Sequence, residues 1–159
     1  MTDFTGISVV EVPCRDSRVV ETFLDGRRIS YGELRRSDPA LVVNDPDAVA
    51  EGWFVQGTER RYNPSIAQGV ALATKKCDGW TSVIGTADIL PSALILRYAE
   101  RAGVHVYSRH GDQVFAGNGW FAVAAKMPGI HVFHPRRKNA GPLPVEMKRG
   151  EFRFFDERK

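Results

Sequence analysis

The sequence predicts an α/β fold: a βαβ unit with a mixed sheet, continued by an antiparallel β extension. Three observations carry this reading. Residues 79–86 (GWTSVIGT) form a β-prone run expected to be a buried strand. From Pro91 to Ala102, the apolar residues Leu94, Ile95, Tyr98, Ala99 and Ala102 recur at helical spacing, with Ser92, Arg97, Glu100 and Arg101 largely on the other side. Residues 104–107 (VHVY) follow Gly103 as a second strand. Strand, helix and strand of this length suit a parallel crossover, which is right-handed.

Each element has its local reason. Residues 5–12 (TGISVVEV) are β-prone. Val19 to Ser30 reads as a hairpin around Asp25-Gly26, a favoured two-residue turn. Residues 33–39 are charged and contain Asp38-Pro39, so a loop is expected there. Leu41-Val42-Val43 is a short strand stopped by Asn44-Asp45-Pro46. Trp53-Phe54-Val55 is another, residues 57–68 are a polar loop, and Val70 to Thr74 is a strand. Pro91 suits the first helical turn, and Gly103 provides the C-terminal stop. Past Ser108, residues 111–115 and 120–126 form a hairpin around the AGNG turn. Residues 130–135 add a strand after Pro128-Gly129. Residues 135–150 read as a loop or extended connection, and residues 151–159 as a last edge strand with charged ends. The domain expectation is residues 1–108 as the α/β part and 109–159 as the β extension.

Composition narrows the function. The chain has 159 residues, with 43% hydrophobic and 26% charged, which is enough to bury a core without metal or disulfides. The net charge of +3 is too balanced for a nucleic-acid binder, and Arg35-Arg36, Arg60-Arg61 and Arg136-Arg137-Lys138 stay short. No apolar run approaches the ~20 residues of a membrane span. The N-terminus lacks a signal core, so a cytoplasmic location is the default unless the chain is a piece of a longer one. Cys14 and Cys77 lack metal-ligand spacing and read as free thiols, with a disulfide as the alternative.

Catalytic signals are weak. His105, His110, His131 and His134 do not show a metal-ligand pattern, because His131 and His134 fall on opposite faces of a predicted strand. No cofactor motif is present. No G-x-S-x-G elbow occurs, and Ser82 lies inside a predicted buried strand. Gly117-Asn118-Gly119 sits between strands, so it is a turn and not a phosphate loop. Asp78, Asp88 and Asp112 flank strand ends, where α/β sheets bind ligands, and turn or cap roles also explain them. Trp53, Tyr62 and Trp120 are candidate sugar-stacking residues, or core residues in the case of the tryptophans.

One stretch carries a family resemblance. Gly79-Trp80-Thr81-Ser82-Val83, Leu90-Pro91, Leu94, Arg97 and Ala102-Gly103-Val104-His105-Val106-Tyr107 belong to it. So do Asp112, Val114-Phe115-Ala116, Trp120-Phe121-Ala122-Val123 and the upstream residues 42–48 (VVNDPDA). Together they resemble the C-terminal region of bacterial β-galactosidase-like glycoside hydrolases. The resemblance covers residues 41–135. It implies the end of a flavodoxin-like, amidotransferase-like trimerisation domain running into a small β domain. The catalytic barrel needs about 250 residues and is outside this chain. No catalytic glutamate of the family transfers to it.

The leading expectation is therefore a non-catalytic accessory or oligomerisation domain. Its partner is another copy or a catalytic barrel, met through Trp80, Leu94 and Tyr98 or the hairpin at Trp120. A stand-alone carbohydrate-binding module using Trp53, Tyr62 or Trp120 is the second expectation. A small hydrolase using Asp78, Asp88, Asp112 or His105 is the third.

Overall fold

The computed structural model describes residues 2–13, 19–33, 39–55, 69–87, 89–137 and 140–158. The chain divides into two compact units, Met1–Leu94 and Ile95–Lys159. The division falls inside a helix, ahead of the boundary at 108 expected from sequence.

The first unit is a seven-stranded sheet preceded by a short helix, α1 (Thr2–Thr5). Its strands are β1 (Val9–Val12), β2 (Val20–Leu24), β3 (Arg27–Tyr31), β4 (Ala40–Val43), β5 (Val49–Phe54), β6 (Val70–Cys77) and β7 (Trp80–Gly85). The order is β1-β4-β6-β5-β2-β3, with β7 also paired to β6, and every pairing is antiparallel. The β2–β3 hairpin forms as expected, because Asp25 and Gly26 both take positive φ, 50° and 76°. β6 is the central strand, and Ala71, Leu72 and Ala73 are all buried on it. Three successive buried residues mean that both faces of β6 are covered. β5 bulges at Gly52 where it pairs with β6. A Cβ there would lie 3.0 Å from Leu72 Cβ and 3.1 Å from Val20 Cγ1, so only glycine fits without local movement.

The α/β expectation is overturned. The strand at Trp80–Gly85 exists, but it is the second arm of a hairpin with β6. Asp78-Gly79 makes the turn, with Gly79 at φ 77°. It is the same two-residue Asp-Gly turn signal as Asp25-Gly26. With β7 spent on an antiparallel hairpin, no parallel partner is needed. Residues 104–107 accordingly form no strand. The flavodoxin-like domain implied by the resemblance is absent from the described residues, which are mostly antiparallel β.

The helix itself is as expected. α2 (Ser92–Arg101) begins after Pro91 and buries Leu94 completely. Its end is a Schellman motif: Gly103 N–H donates to the Glu100 carbonyl at 2.9 Å, and Val104 N–H to the Ala99 carbonyl at 2.8 Å. Gly103 supplies the left-handed conformation, φ 72°.

The second unit contains two small antiparallel sheets. One has the order β12-β9-β8: β8 (Gln113–Gly117), β9 (Trp120–Ala124) and β12 (Phe152–Asp156). The other pairs β10 (Gly129–Phe133) with β11 (Leu143–Met147). The β8–β9 hairpin turns at Asn118-Gly119, with φ 52° and 79°. β11 falls within the segment expected to be a loop or extended connection. Its Pro144 is compatible with a strand because β11 has one paired neighbour, and an edge strand has an N–H side that needs no donor.

Phe121, Val123, Ala125, Phe133, Val145 and Met147 form the buried core of this unit. Phe155 stacks on Phe121 with ring centroids 4.6 Å apart, and Tyr107 lies 4.8 Å from Phe121. Phe121 is the hub of these aromatic contacts. Phe121→Ala is expected to cost about 3–5 kcal/mol, a large share of the roughly 5–15 kcal/mol available to a domain. Urea unfolding followed by aromatic fluorescence or circular dichroism checks it.

Candidate functional site

A buried polar cluster of the second unit centres on Asp112, just ahead of β8. Its side chain is fully buried, and so almost entirely is that of His131 on β10. Asp112 Oδ2 accepts hydrogen bonds from His131 Nδ1 at 2.8 Å and Ser108 Oγ at 2.9 Å. Asp112 Oδ1 accepts from the Lys126 backbone N–H at 3.1 Å. The other ring nitrogen of His131, Nε2, lies 2.9 Å from the Met127 carbonyl oxygen. A carbonyl oxygen only accepts, and an ionised carboxylate only accepts. Both nitrogens of His131 therefore carry protons, and the pair is an imidazolium facing a carboxylate.

Electrostatics agree with this assignment. The hydrogen bond to Asp112 raises the His131 pKa above 6.5, against the opposing effect of burial, with help from the Met127 carbonyl. For Asp112, burial alone pushes the carboxyl up. The hydrogen bonds from His131, Lys126 and Ser108 outweigh it and hold the group below its ordinary 3.8.

Ser108, Asp112 and His131 are the residue types of a nucleophilic triad, but they are connected in the wrong order. The carboxylate stands between the serine and the histidine. Ser108 donates its proton to Asp112, and His131 spends its second nitrogen on a backbone carbonyl. The hydroxyl faces only the Asp112 carboxylate, a weak base held below its ordinary pKa, and among the described residues no histidine nitrogen accepts from it, so this arrangement does not activate a nucleophile. It ties residues 108–112, the end of β9 and β10 together. His110 sits beside it, its ring 5.1 Å from that of His131, and its Nε2 accepts from Val132 N–H at 3.2 Å.

A second polar feature of this unit is open to solvent. A cleft of about 480 Å³ is lined by Gly103, Val104, His105, Tyr107, residues 116–119, Arg136 and Glu157. Glu157 is held by three hydrogen bonds. Its Oε2 accepts from Tyr107 Oη at 3.1 Å, its Oε1 accepts from the Arg136 backbone N–H, and its own N–H donates to the Gly119 carbonyl at 2.8 Å. His105 Nε2 donates to the His134 carbonyl at 2.6 Å, and its ring meets Tyr107 edge-on at 4.5 Å. Burial and the Glu157 carboxylate keep the Tyr107 hydroxyl protonated beyond its ordinary range.

The first unit has its own buried carboxylate. Asp45 Oδ2 accepts from Ser8 N–H at 3.0 Å, Oδ1 accepts from Asp47 N–H at 3.0 Å, and Lys75 Nζ approaches the two oxygens at 2.9 and 3.1 Å. These bonds, led by that from Ser8, lower its pKa. Asp45 fastens the connection between β4 and β5 to β1 and β6, which is a structural task.

The residues singled out from sequence are dispersed. Trp53 is half-buried on β5, opposite Glu21 and Val70. Trp120 is half-buried on β9, its ring stacked at 5.3 Å on Phe154. Tyr62 and Asp88 lie outside the described residues, as does Cys14. Asp78 is exposed in the β6–β7 turn, and Ser82 is buried on β7. Trp80 is 50% exposed, Leu94 is wholly inside the chain, and Tyr98 is half-buried. Cys77 is a free thiol. No group of three or more metal-ligating side chains converges among the described residues. No described helix is long and apolar enough to cross a membrane. The sequence reading named His131 and Asp112 separately and missed their pairing, because they are 19 residues apart with no periodic relation.

The ion pair sets a pH dependence. His131 has a raised pKa, so its contribution is complete below 6.5 and is lost as pH rises through the folded value. Asp112 has a lowered pKa, so its contribution is complete above 3.8 and is lost as pH falls through the folded value. Stability of the second unit is expected to be greatest between those limits. His131→Leu should flatten the alkaline limb in melting curves collected across pH.

No protein-family model matches the chain, and no curated protein matches it. Solved structures share its fold, among them two of one enzyme. One is a catalytic mutant of Gan42B, a GH42 beta-galactosidase from G. stearothermophilus, with a TM-score of 0.52 and 12% identity. The match covers 95% of this chain and 23% of that one. The structure of Gan42B itself matches with the same score and identity, over 96% of this chain and 23% of the other. The chain thus spans about a quarter of the length of these structures and has the fold of part of a GH42 β-galactosidase.

Proposed function

We propose that this chain is a non-catalytic accessory piece of a β-galactosidase-like carbohydrate-active protein, and that it supports assembly. The fold likeness carries the reading: nearly the whole chain corresponds to a minor share of a much longer glycoside hydrolase. The serine, aspartate and histidine that meet in the second unit are wired for structure, which also weighs against a small hydrolase built on Asp112.

A surface suited to assembly is present in the second unit. Across the three strands β8, β9 and β12, Phe115, Ala122 and Phe154 lie opposite one another. Phe152 continues the same face of β12, and Trp120 stacks on Phe154. Phe115, Phe152 and Phe154 are each more than half exposed. Contiguous apolar surface of this kind marks interaction sites on soluble proteins. It fits a second copy of the chain or a catalytic barrel domain.

Light scattering coupled to size-exclusion chromatography is the direct test. A dimer or trimer at roughly micromolar concentration, reduced to a single chain by Phe154→Asp with the circular dichroism spectrum retained, is the expected result. A single chain at every concentration that also fails to bind a GH42 catalytic barrel would remove the assembly role.

A further inference from the structure

We infer that the cleft beside Glu157 in the second unit binds a neutral saccharide of one or two rings. The inference stands apart from the assembly role, which uses the aromatic face of β8, β9 and β12.

Size and shape permit it. The cleft, about 480 Å³, falls in the range of small-ligand sites. Its walls combine apolar surface from Val104, Ala116 and the Tyr107 ring with a few convergent polar groups. The walls come from the α2 C-cap, the β8–β9 turn, the segment after β10 and the end of β12. The β8–β9 turn and the residue after β12 are bound to each other by the Glu157 N–H to Gly119 carbonyl bond.

The polar groups select the ligand. Glu157 is fixed by Tyr107 and the Arg136 amide, and each of its oxygens keeps a further lone pair to accept from a ligand. Among the described residues the Arg136 guanidinium makes no side-chain hydrogen bond or ion pair, acting only electrostatically on Tyr107, and the Asn118 amide makes no side-chain hydrogen bond. His105 has committed Nε2 to the His134 carbonyl, which leaves Nδ1 available. An anion such as phosphate would meet the Glu157 carboxylate. An amine would meet the Arg136 guanidinium. A purely apolar ligand would strand both charges without water. Hydroxyl groups both donate and accept, so vicinal hydroxyls satisfy the carboxylate and the guanidinium together. The apolar face of a pyranose ring can lie against Tyr107 and Val104. Holding Glu157 in place before binding spares part of the ordering cost that weak sugar ligands otherwise meet.

The test is a titration of the isotope-labelled full chain with galactose, lactose and inorganic phosphate, followed by nuclear magnetic resonance of the backbone amides. The expected result is saturable shifts at residues 103–107 and 117–119 with at least one sugar and none with phosphate. Arg136→Ala, an exposed position, should weaken that affinity by roughly tenfold with the rest of the spectrum unchanged. Glu157→Gln should do the same if its spectrum shows a native fold, and Arg136→Ala decides the matter if it does not. Absence of saturable sugar shifts, saturable phosphate binding in the cleft, or sugar shifts confined to the Trp120 and Phe154 face would each overturn the inference. None of these readings depends on the oligomeric state, so failure here leaves the assembly role intact.

Discussion

The pairing of β6 on both edges constrains the whole first unit. Its long backbone ladder is shared among β4, β5 and β7, and its middle residues are buried on both faces. Buried peptide groups must find partners, and here they find them in antiparallel neighbours joined largely by short connections. Glycine at position 52 lets the bulged strand β5 lie at close range to Leu72 and Val20. Asp45 secures the same region from its edge by binding Ser8 and Lys75.

The second unit depends on a different kind of constraint. Its sheets are small, and an aromatic cluster around Phe121 supplies most of its core. A unit of this size has little surplus apolar burial. The Asp112–His131 pair adds a buried polar link between segments that the sheets alone do not join. Such a pair contributes modestly to net stability when intact, and is costly to break, because removing one partner strands the other's charge. It therefore favours one arrangement of the loops around it over alternatives.

Function follows from which surfaces these constraints leave free. The interior histidine and aspartate are consumed by structure. The aromatic face of β8, β9 and β12 and the cleft at Glu157 are not. One is an exposed aromatic face, as suits a protein partner. The other is concave with balanced charge, as suits a small polar ligand. A fold shared with part of a GH42 β-galactosidase is compatible with either use, because fold and function are separable and the site has to carry the argument.

The sequence by itself determined the local elements. Asp25-Gly26 and Asn118-Gly119 fixed two hairpins, Pro91 and Gly103 bounded the helix, and β-prone runs marked most strands. These signals act over a few residues, through φ preference and missing or satisfied backbone donors. The likeness to β-galactosidase-like proteins expected from sequence is matched, at the level of fold, by the GH42 structures. Beyond those two hairpins, tertiary structure decided the strand partners. The run at Trp80–Gly85 is compatible with a parallel or an antiparallel neighbour, and the turn at Asp78-Gly79 together with the open edge of β6 settled it. Likewise, Leu143–Met147 became a strand despite Pro144 because β10 offered an edge. Asp112 met His131 because the chain brought them together from separate segments. Pairing across long sequence separations depends on packing and burial that no local spacing encodes.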